Sequence, residues 1–394
     1  MSPLRVDGLD PRFVRATVTN FFFWLSINGY VLLPLHVEAL GGTEVEIGLI
    51  MGLYSAVGIV TQPLIGPWVD ALGRRPFVRV GVSLVAASHL LAAGLETLPA
   101  LAVVRLLQGL GFSAWFVGIF SYVIDVIPPA RRGWALGIFG VSGFGATALA
   151  PLLGELVIRR FGFRPLFVAS LLVALVAAAL VWPLRDLRPA GTVMPPLKGT
   201  GWLRGGVEEM ARLHMVITLF FGLGSGTVFT FLPTFSDRLG VASLALFYTA
   251  YAGAAIAVRV LGGRLIDTLG RRTVVVPSMF LQATATAMLA ALGLFLPPGG
   301  PAPVLPVLFM AGLISGSAHG FLYPGLAALA TDLTPPERRA AVVGVFSAMF
   351  LVGNAGGAMV FGYVAHAFGY GALWTALTAL LLAGASLSVR LPRR

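Results

Sequence analysis

Long apolar runs alternate with short segments rich in charge, proline and glycine along the whole chain. Each run is about 20 residues long, which an α-helix needs to cross the hydrocarbon core of a bilayer. The pattern predicts an all-α membrane protein with twelve transmembrane helices in two sets of six. The predicted spans are 13–37, 47–69, 77–95, 100–124, 134–158, 165–183, 213–235, 242–266, 273–296, 304–330, 341–365 and 371–391.

A polar segment separates the two sets of spans. Residues 184–212 are rich in proline, glycine and charge, a composition typical of linkers. The sequence therefore predicts an N-terminal six-helix bundle over 1–183, a cytoplasmic linker over 184–212 and a C-terminal six-helix bundle over 213–394.

Two short phrases occur once in each half. DVIPPARR at 125–132 returns as DLTPPERR at 332–339, and GPWVDALGRR at 66–75 returns as GRLIDTLGRR at 263–272. Shorter pairs agree with them, namely Leu40-Gly41 with Leu239-Gly240 and Phe161-Gly162 with Phe368-Gly369. The halves are therefore duplicates in the same orientation. In membrane proteins this organisation usually indicates a transporter whose site lies where the halves meet.

Composition excludes several classes of protein. Hydrophobic residues make up 57% of the chain and charged residues 11%, against about 25% charged residues in soluble domains. Mean hydropathy is +0.90. The chain has no cysteine, so disulfides, thiol catalysis and cysteine metal sites are excluded. The net charge of +11 comes from arginines in short loops. Membrane topology explains such arginines, so the charge does not indicate a nucleic-acid-binding protein.

The basic residues also predict an orientation. With the N-terminus in the cytoplasm, 21 of the 27 basic residues fall at the cytoplasmic side, including those at the cytoplasmic ends of spans. Four fall outside, and two, Arg105 and Arg259, lie deeper within spans. Positive charge concentrates on the cytoplasmic side of membrane proteins. We therefore expect a multi-pass protein of the cytoplasmic (inner) membrane with both termini in the cytoplasm, and its first apolar run retained as a helix.

The loop after the second span resembles a family signature. Gly66-x-x-x-Asp70-x-x-Gly73-Arg74-Arg75 is similar to the signature loop of the major facilitator superfamily, and the copy at 263–272 stands where that family keeps a weaker copy. The fourth-span sequence at 105–114, RLLQGLGFSA, is similar to the family's second motif. The resemblance implies two six-helix halves that alternate between inward-open and outward-open states.

By this resemblance, the loops latch the cytoplasmic ends of the two halves together. Asp70, Gly73 and Arg74 would form one latch, and Asp267 and Arg271 the other. Ordinary topogenic charge with a helix cap is the alternative for both loops. Asp125 and Asp332 precede Pro-Pro and paired arginines, so they either have a structural role at a helix start or support the latch as a charge network.

Three ionisable residues within spans are candidates for proton coupling. Arg105 lies inside the fourth span, where a guanidinium is costly, and the second half has Gly312 at the matching position. The resemblance implies coupling or substrate binding for Arg105; snorkelling to the headgroups is the alternative. Glu155 either carries a proton or pairs with Arg159 at i+4. His319 is suited to proton transfer, because an unperturbed histidine pKa is about 6.5.

The fifth span bears on direction. Ala150-Pro151-Leu-Leu-Gly154-Glu155 partly resembles the motif typical of the family's antiporters, with Ala150 and Glu155 where glycines are expected. Pro151 and Gly154 match the motif, so we predict a kinked, closely packed helix. On the partial match as a whole we favour export.

Helices one, four, seven and ten line the substrate cavity in the resembled family. Aromatic and hydrogen-bonding side chains recur there at helical spacing, which suits a small-molecule pocket; a helix-packing face is the alternative. The cavity candidates are Asn20, Trp24, Asn28, Gln108, Trp115, Tyr122, Thr227, Phe231, Ser315 and Tyr323.

The resulting hypothesis is a secondary active transporter, a monomer in contact with membrane lipid, that exports a small amphipathic or weakly polar organic molecule in exchange for protons. The alternatives are a proton-coupled importer of a metabolite or sugar, a lipid transporter, and a ligand sensor that does not transport. An enzyme is not expected, because the histidines are scattered and neither a metal-binding HExxH nor a phosphate-binding loop occurs. We predict no cofactor and no metal site.

Overall fold

The computed structural model describes residues 10–128, 132–185, 210–241, 243–262, 265, 268–296, 304–332 and 339–392. These residues form helices joined by short turns. The first half contains α1 (Pro11–Asn28), a 3-10 turn (Gly29–Leu32), α2 (Leu33–Ala39), α3 (Glu44–Leu72), α4 (Arg74–Gly94), α5 (Leu98–Val126), α6 (Arg132–Phe161) and α7 (Phe163–Val181). The second half contains α8 (Leu213–Arg238), α9 (Ala245–Leu261), α10 (Arg271–Phe295), α11 (Val304–Asp332) and α12 (Arg339–Ser388).

The expected all-α membrane architecture is confirmed. Among the described residues, ten helical segments are long and apolar enough to cross a membrane, and α9 is a shorter apolar helix. The helix boundaries differ from the predicted spans in two places. The first span is interrupted by the 3-10 turn before Pro34, and α12 covers both of the last two predicted spans, with a break at Gly369. The total of twelve spans stays a prediction.

The repeated glycines mark the ends of helices. Six glycines of the described residues have positive φ, a region that side chains with a Cβ rarely occupy. They form three pairs at matching positions of the two halves: Gly41 with Gly240, Gly73 with Gly270, and Gly162 with Gly369. The same backbone turn therefore follows matching spans in each half, which explains why the duplication retains these residues.

Two helix pairs make the most extensive contacts between the halves. α3 packs on α12 at close range, since a Cβ at Gly48 would lie 2.4 Å from the carbonyl oxygen of Ala358. α6 packs on α9, where the Thr249 hydroxyl donates to the carbonyl oxygen of Ala148 at 3.3 Å. A site between the halves is therefore bordered by α6 and α9 on one side and by α3 and α12 on the other.

Several predicted features fall outside the described residues. These are Asp267, most of the 184–212 linker and the side chain of Asp70. The three-part division of the chain stays a prediction.

Candidate functional site

Ion pairs join the two repeated phrases within each half, at the end of the bundle that we call the inner end. Arg74 Nε lies 2.9 Å from Asp125 Oδ2, and Arg271 Nε lies 3.1 Å from Asp332 Oδ2. Arg74 also donates to the carbonyl oxygen of Val69 at 3.0 Å, the last turn of α3. Asp125 and Asp332 therefore belong to a charge network with the loop motif. The latch between halves stays a prediction for Asp70, Gly73, Arg74, Asp267 and Arg271.

At the opposite, outer end, charged residues connect the halves directly. Arg238, at the end of α8, contacts Glu38 of α2 at 3.2 Å and also pairs with Glu44 of α3. His366 Nδ1 lies 3.1 Å from the other carboxylate oxygen of Glu44, and the Arg238 guanidinium lies over the Tyr370 ring at 4.8 Å. We call these residues the outer charge cluster. It holds the outer ends of the two halves together.

Glu155 makes a second connection at the outer end. Its Oε1 accepts from the backbone N–H of Ala245 at 2.8 Å, and its Oε2 accepts from the Ser243 hydroxyl at 3.2 Å. Arg159 Nη2 lies 3.7 Å from Oε2. The first backbone N–H groups of a helix lack helical partners and carry partial positive charge. Glu155 therefore caps α9 from the other half, in addition to its pairing with Arg159.

An aromatic cluster surrounds His319 where the halves meet. The ring centroids of Phe221, Tyr251, Phe144, Tyr323 and Phe350 lie 5.0, 5.7, 5.8, 6.3 and 6.5 Å from that of His319. Phe144 belongs to α6 of the first half, and the others come from four helices of the second half.

His319 itself is half-buried within this aromatic cluster. Its Nδ1 has no hydrogen-bond partner in the described part of the chain. The arrangement offers an apolar surface with one unused polar atom.

Arg259 of α9 borders the aromatic cluster. Its guanidinium lies 4.6 Å from the centroid of the Phe144 ring, and a Cβ at Gly140 would lie 2.9 Å from its Nη1. Its Nε is buried without a hydrogen-bond partner, and none of the carboxylates described in the structure forms an ion pair with it. Arg259 thus reaches from the second half to α6 of the first.

Arg105 has a different environment. It is 6% exposed, donates to Gln108 Oε1 at 2.8 Å and to the carbonyl oxygen of Met51 at 3.4 Å, and lies 4.6 Å from the Tyr54 ring centroid. The guanidinium is therefore directed at α3, which contains both Met51 and Tyr54. Coupling by Arg105, Glu155 and His319 stays a prediction.

The first-helix residues face α6. Asn20 donates to the Ser142 hydroxyl at 2.9 Å, and Asn28 donates to the Thr147 hydroxyl at 2.9 Å. Trp24 is half-buried, with its ring centroid 5.4 Å from that of Phe112.

The other cavity candidates differ in how much of each side chain is buried. Trp115, Tyr122, Gln108, Thr227 and Phe231 are buried, whereas Ser315 and Tyr323 are half-buried. The structure brings Tyr323 together with His319 but directs the ring of Trp115 onto Phe23, with a centroid distance of 4.1 Å. Their roles in a cavity stay predictions.

A profile of the Major Facilitator Superfamily matches residues 16–296 and again residues 214–394. The chain belongs to the major facilitator superfamily. The family expected from the loop motif is therefore confirmed, and with it a multi-pass membrane transporter that binds small molecules.

Relatives and solved structures agree with this assignment. A transporter of this superfamily from Pseudomonas aeruginosa (strain LESB58), described as uncharacterized, is 26% identical over 393 residues, covering 97% of this chain and 93% of its own length. The nucleoside transporter NupG has a TM-score of 0.77 at 15% identity, covering 96% of this chain and 98% of its own. The peptide transporter POT has a TM-score of 0.79 at 17% identity, covering 98% and 96%. At these identities the structures establish the fold alone.

Several residues of this superfamily member were not singled out as site candidates from the sequence. They are Glu44, Arg238 and His366 of the outer charge cluster, and Phe144 of the aromatic cluster. One signal did exist, because Arg238 is the single basic residue of the second half placed outside by the topology prediction. No comparable signal exists for Phe144, since one phenylalanine in an apolar helix resembles any other.

Proposed function

We propose that this chain is a secondary active transporter that exports a small amphipathic organic molecule across the cytoplasmic membrane by alternating access, in exchange for protons. This proposal rests mainly on the aromatic cluster around His319. Five rings contributed by both halves, with a polar atom among them, match the composition of small-molecule pockets. The protein acts as a monomer, and the arginines of its inner end contact anionic lipid.

The connections between the halves support alternating access. Among the described side chains, the outer charge cluster and Glu155 join the halves, whereas Arg74 with Asp125 and Arg271 with Asp332 pair within one half. A bundle connected in this way is closed at its outer end. Transport then requires the outer contacts to break and the inner latches to form, as rocking of one half against the other provides.

Proton exchange rests on the ionisable groups within the spans. His319 is the first candidate, because it lies among the rings that would hold the substrate and its Nδ1 is unused. A proton and a hydrogen-bond donor of the substrate would then compete for the Nδ1 atom of His319. Export over import rests on the partial likeness of the fifth-span sequence at 150–155 to the motif of the family's antiporters.

The test is transport in sealed proteoliposomes. Ligands are first selected by thermal shift of the purified protein, and counterflow and pH-jump flux are then measured for the hits. We expect flux driven by an opposing proton gradient and its loss in His319→Ala, Glu155→Gln or Arg105→Ala, depending on which residue couples. Proton-driven flux retained by all three variants would remove the coupling assignment. Ligand binding without any flux would identify a sensor.

A further inference from the structure

Arg259 is a charge without an evident structural purpose. The corresponding position of the first half is Gln62, so the duplicated frame does not need an arginine there. The side chain lies in the apolar contact between α6 and α9, where an ionised group is costly unless it is paired. Of the described residues, none gives it a carboxylate partner, and its Nε is buried without a hydrogen bond.

The Phe144 ring supplies only part of the missing compensation. A cation over an aromatic face is attracted by the ring quadrupole. A ring, however, has no oxygen atoms that could accept two parallel hydrogen bonds from the guanidinium. Arg105 provides the internal comparison. It has a similar ring contact and, in addition, an amide oxygen and a carbonyl oxygen as acceptors. Arg259 has the ring, but no described residue provides it with such an acceptor.

The position of Arg259 connects it with the proposed substrate site. Phe144 lies under the guanidinium and also contacts the His319 ring, so Arg259 and His319 share one aromatic neighbour. All three side chains are half-buried, and Nε of Arg259 and Nδ1 of His319 are themselves fully buried. Gly140 contributes to this arrangement, since a larger residue would come within 2.9 Å of Nη1.

We propose that Arg259 binds the acidic group of the substrate, and that the transported molecule is a soluble organic anion with an aromatic or similarly bulky apolar body. This inference rests on the proposed transport function and specifies its substrate class. The guanidinium fork matches a carboxylate in two parallel hydrogen bonds. The neighbouring rings take the apolar body, and His319 Nδ1 supplies a further polar contact.

The test compares carboxylates with their uncharged amides. The full chain is placed in phosphatidylcholine nanodiscs and titrated with a panel of aromatic monocarboxylates, each with its primary amide, for example 2-naphthylacetate and 2-naphthylacetamide. We expect at least one carboxylate to bind tenfold or more tightly than its amide. Arg259→Gln should abolish this preference, whereas Arg160→Gln, at an exposed outer arginine, should preserve it. Equal affinity for every carboxylate and amide, or a preference that survives Arg259→Gln, would overturn the inference.

Two further measurements distinguish a substrate-binding Arg259 from a structural arginine and from a lipid site. If Arg259 were structural, Arg259→Gln would lower the Tm of the ligand-free protein. We expect an unchanged or higher Tm, because the substitution removes a charge that has no described ion pair, and the lost contact with the Phe144 ring is weak by comparison. Nanodiscs with anionic lipid should leave the carboxylate affinity unchanged, and competition by that lipid would reassign the site to a headgroup.

Flux in vesicles distinguishes the proposed transport function from the proposed anionic substrate. A carboxylate that binds but is not transported rejects transport, and flux of the amides alone rejects the anion class.

Discussion

Glu155 in the first half accepts a hydrogen bond from the backbone N–H of Ala245 in the second half, at 2.8 Å. A side chain of α6 therefore caps a helix that it does not belong to. The cap exists only while the outer ends of the halves are together, so it stabilises one state of the transport cycle over the other.

Glu155→Gln should shift the protein toward the outward-open state. A glutamine still accepts from Ala245 but without charge, and charge-assisted hydrogen bonds exceed neutral ones by about 1 kcal/mol. We expect about a fivefold change in the ratio of states. Because the chain has no cysteine, spin labels on two introduced cysteines, one per half at the outer end, report this ratio directly.

Glu46→Gln is the matched control for that experiment. Glu46 lies at the same end of the bundle, but its carboxylate accepts from the backbone N–H of Thr43 in its own capping box. The distance distribution should therefore stay as in the wild type. An equal shift in both variants would show that loss of negative charge, rather than the cap, controls the outer end.

The ion pair of Glu44 with Arg238 should contribute modestly and depend on salt. Arg238 is 46% exposed, and exposed pairs are worth about 0.2–1 kcal/mol. A double-mutant cycle with Glu44→Gln and Arg238→Gln, read from the thermal stability of the purified protein, should give a coupling energy in that range. In 1 M salt, where the Debye length falls to about 3 Å, the coupling should approach zero. A coupling independent of salt would contradict a surface ion pair.

The two inner ion pairs provide a comparison within one molecule. Arg74 and Asp125 are 8% and 10% exposed, whereas Arg271 and Asp332 are 23% and 53% exposed. Breaking a buried pair typically costs about 3–5 kcal/mol and an exposed one about 1 kcal/mol or less. Asp125→Asn should therefore lower the Tm considerably more than Asp332→Asn. Equal losses would mean that burial does not set the strength of these pairs.

Gly140→Ala should weaken binding of anionic ligands. The added Cβ would lie 2.9 Å from Arg259 Nη1, so the guanidinium must move away from its place beside Phe144. We expect a several-fold loss of carboxylate affinity in the nanodisc titration and no loss for the matching amide. Gly137→Ala is the control on the same helix, because a Cβ there meets no atom within 4 Å. Identical affinities in the two variants would argue against an anion contact at Arg259.

His319→Phe should separate proton coupling from packing. Phenylalanine keeps an aromatic ring among the five neighbours and removes the titratable nitrogens. We expect substrate-dependent thermal stabilisation to persist while flux no longer responds to a proton gradient, measured by pH jump in proteoliposomes. A variant that still couples flux to protons would move the coupling role to Glu155 or Arg105.

Much of the frame was predictable because it depends on local pattern. Apolar runs of bilayer length predict helices whatever their neighbours, and the repeated glycines, such as Gly162 and Gly369, occupy a backbone conformation that other residues avoid. The loop at 66–75 and its copy led to the superfamily that the profile confirms. The charged residues that occur in both copies also form equivalent ion pairs, Arg74 with Asp125 in the first half and Arg271 with Asp332 in the second.

The partners of the unduplicated charges depended on tertiary structure alone. Glu44 meets Arg238 across 194 positions of sequence, and Arg259 meets Phe144 across the boundary between the halves. These contacts depend on the rotation of each helix and on the end at which the halves are joined. Two halves of similar sequence are compatible with closure at either end, so the sequence by itself determined the spans, the duplication and the family. Only the tertiary structure decided which charges connect the halves, because that choice follows from packing between residues distant in the chain.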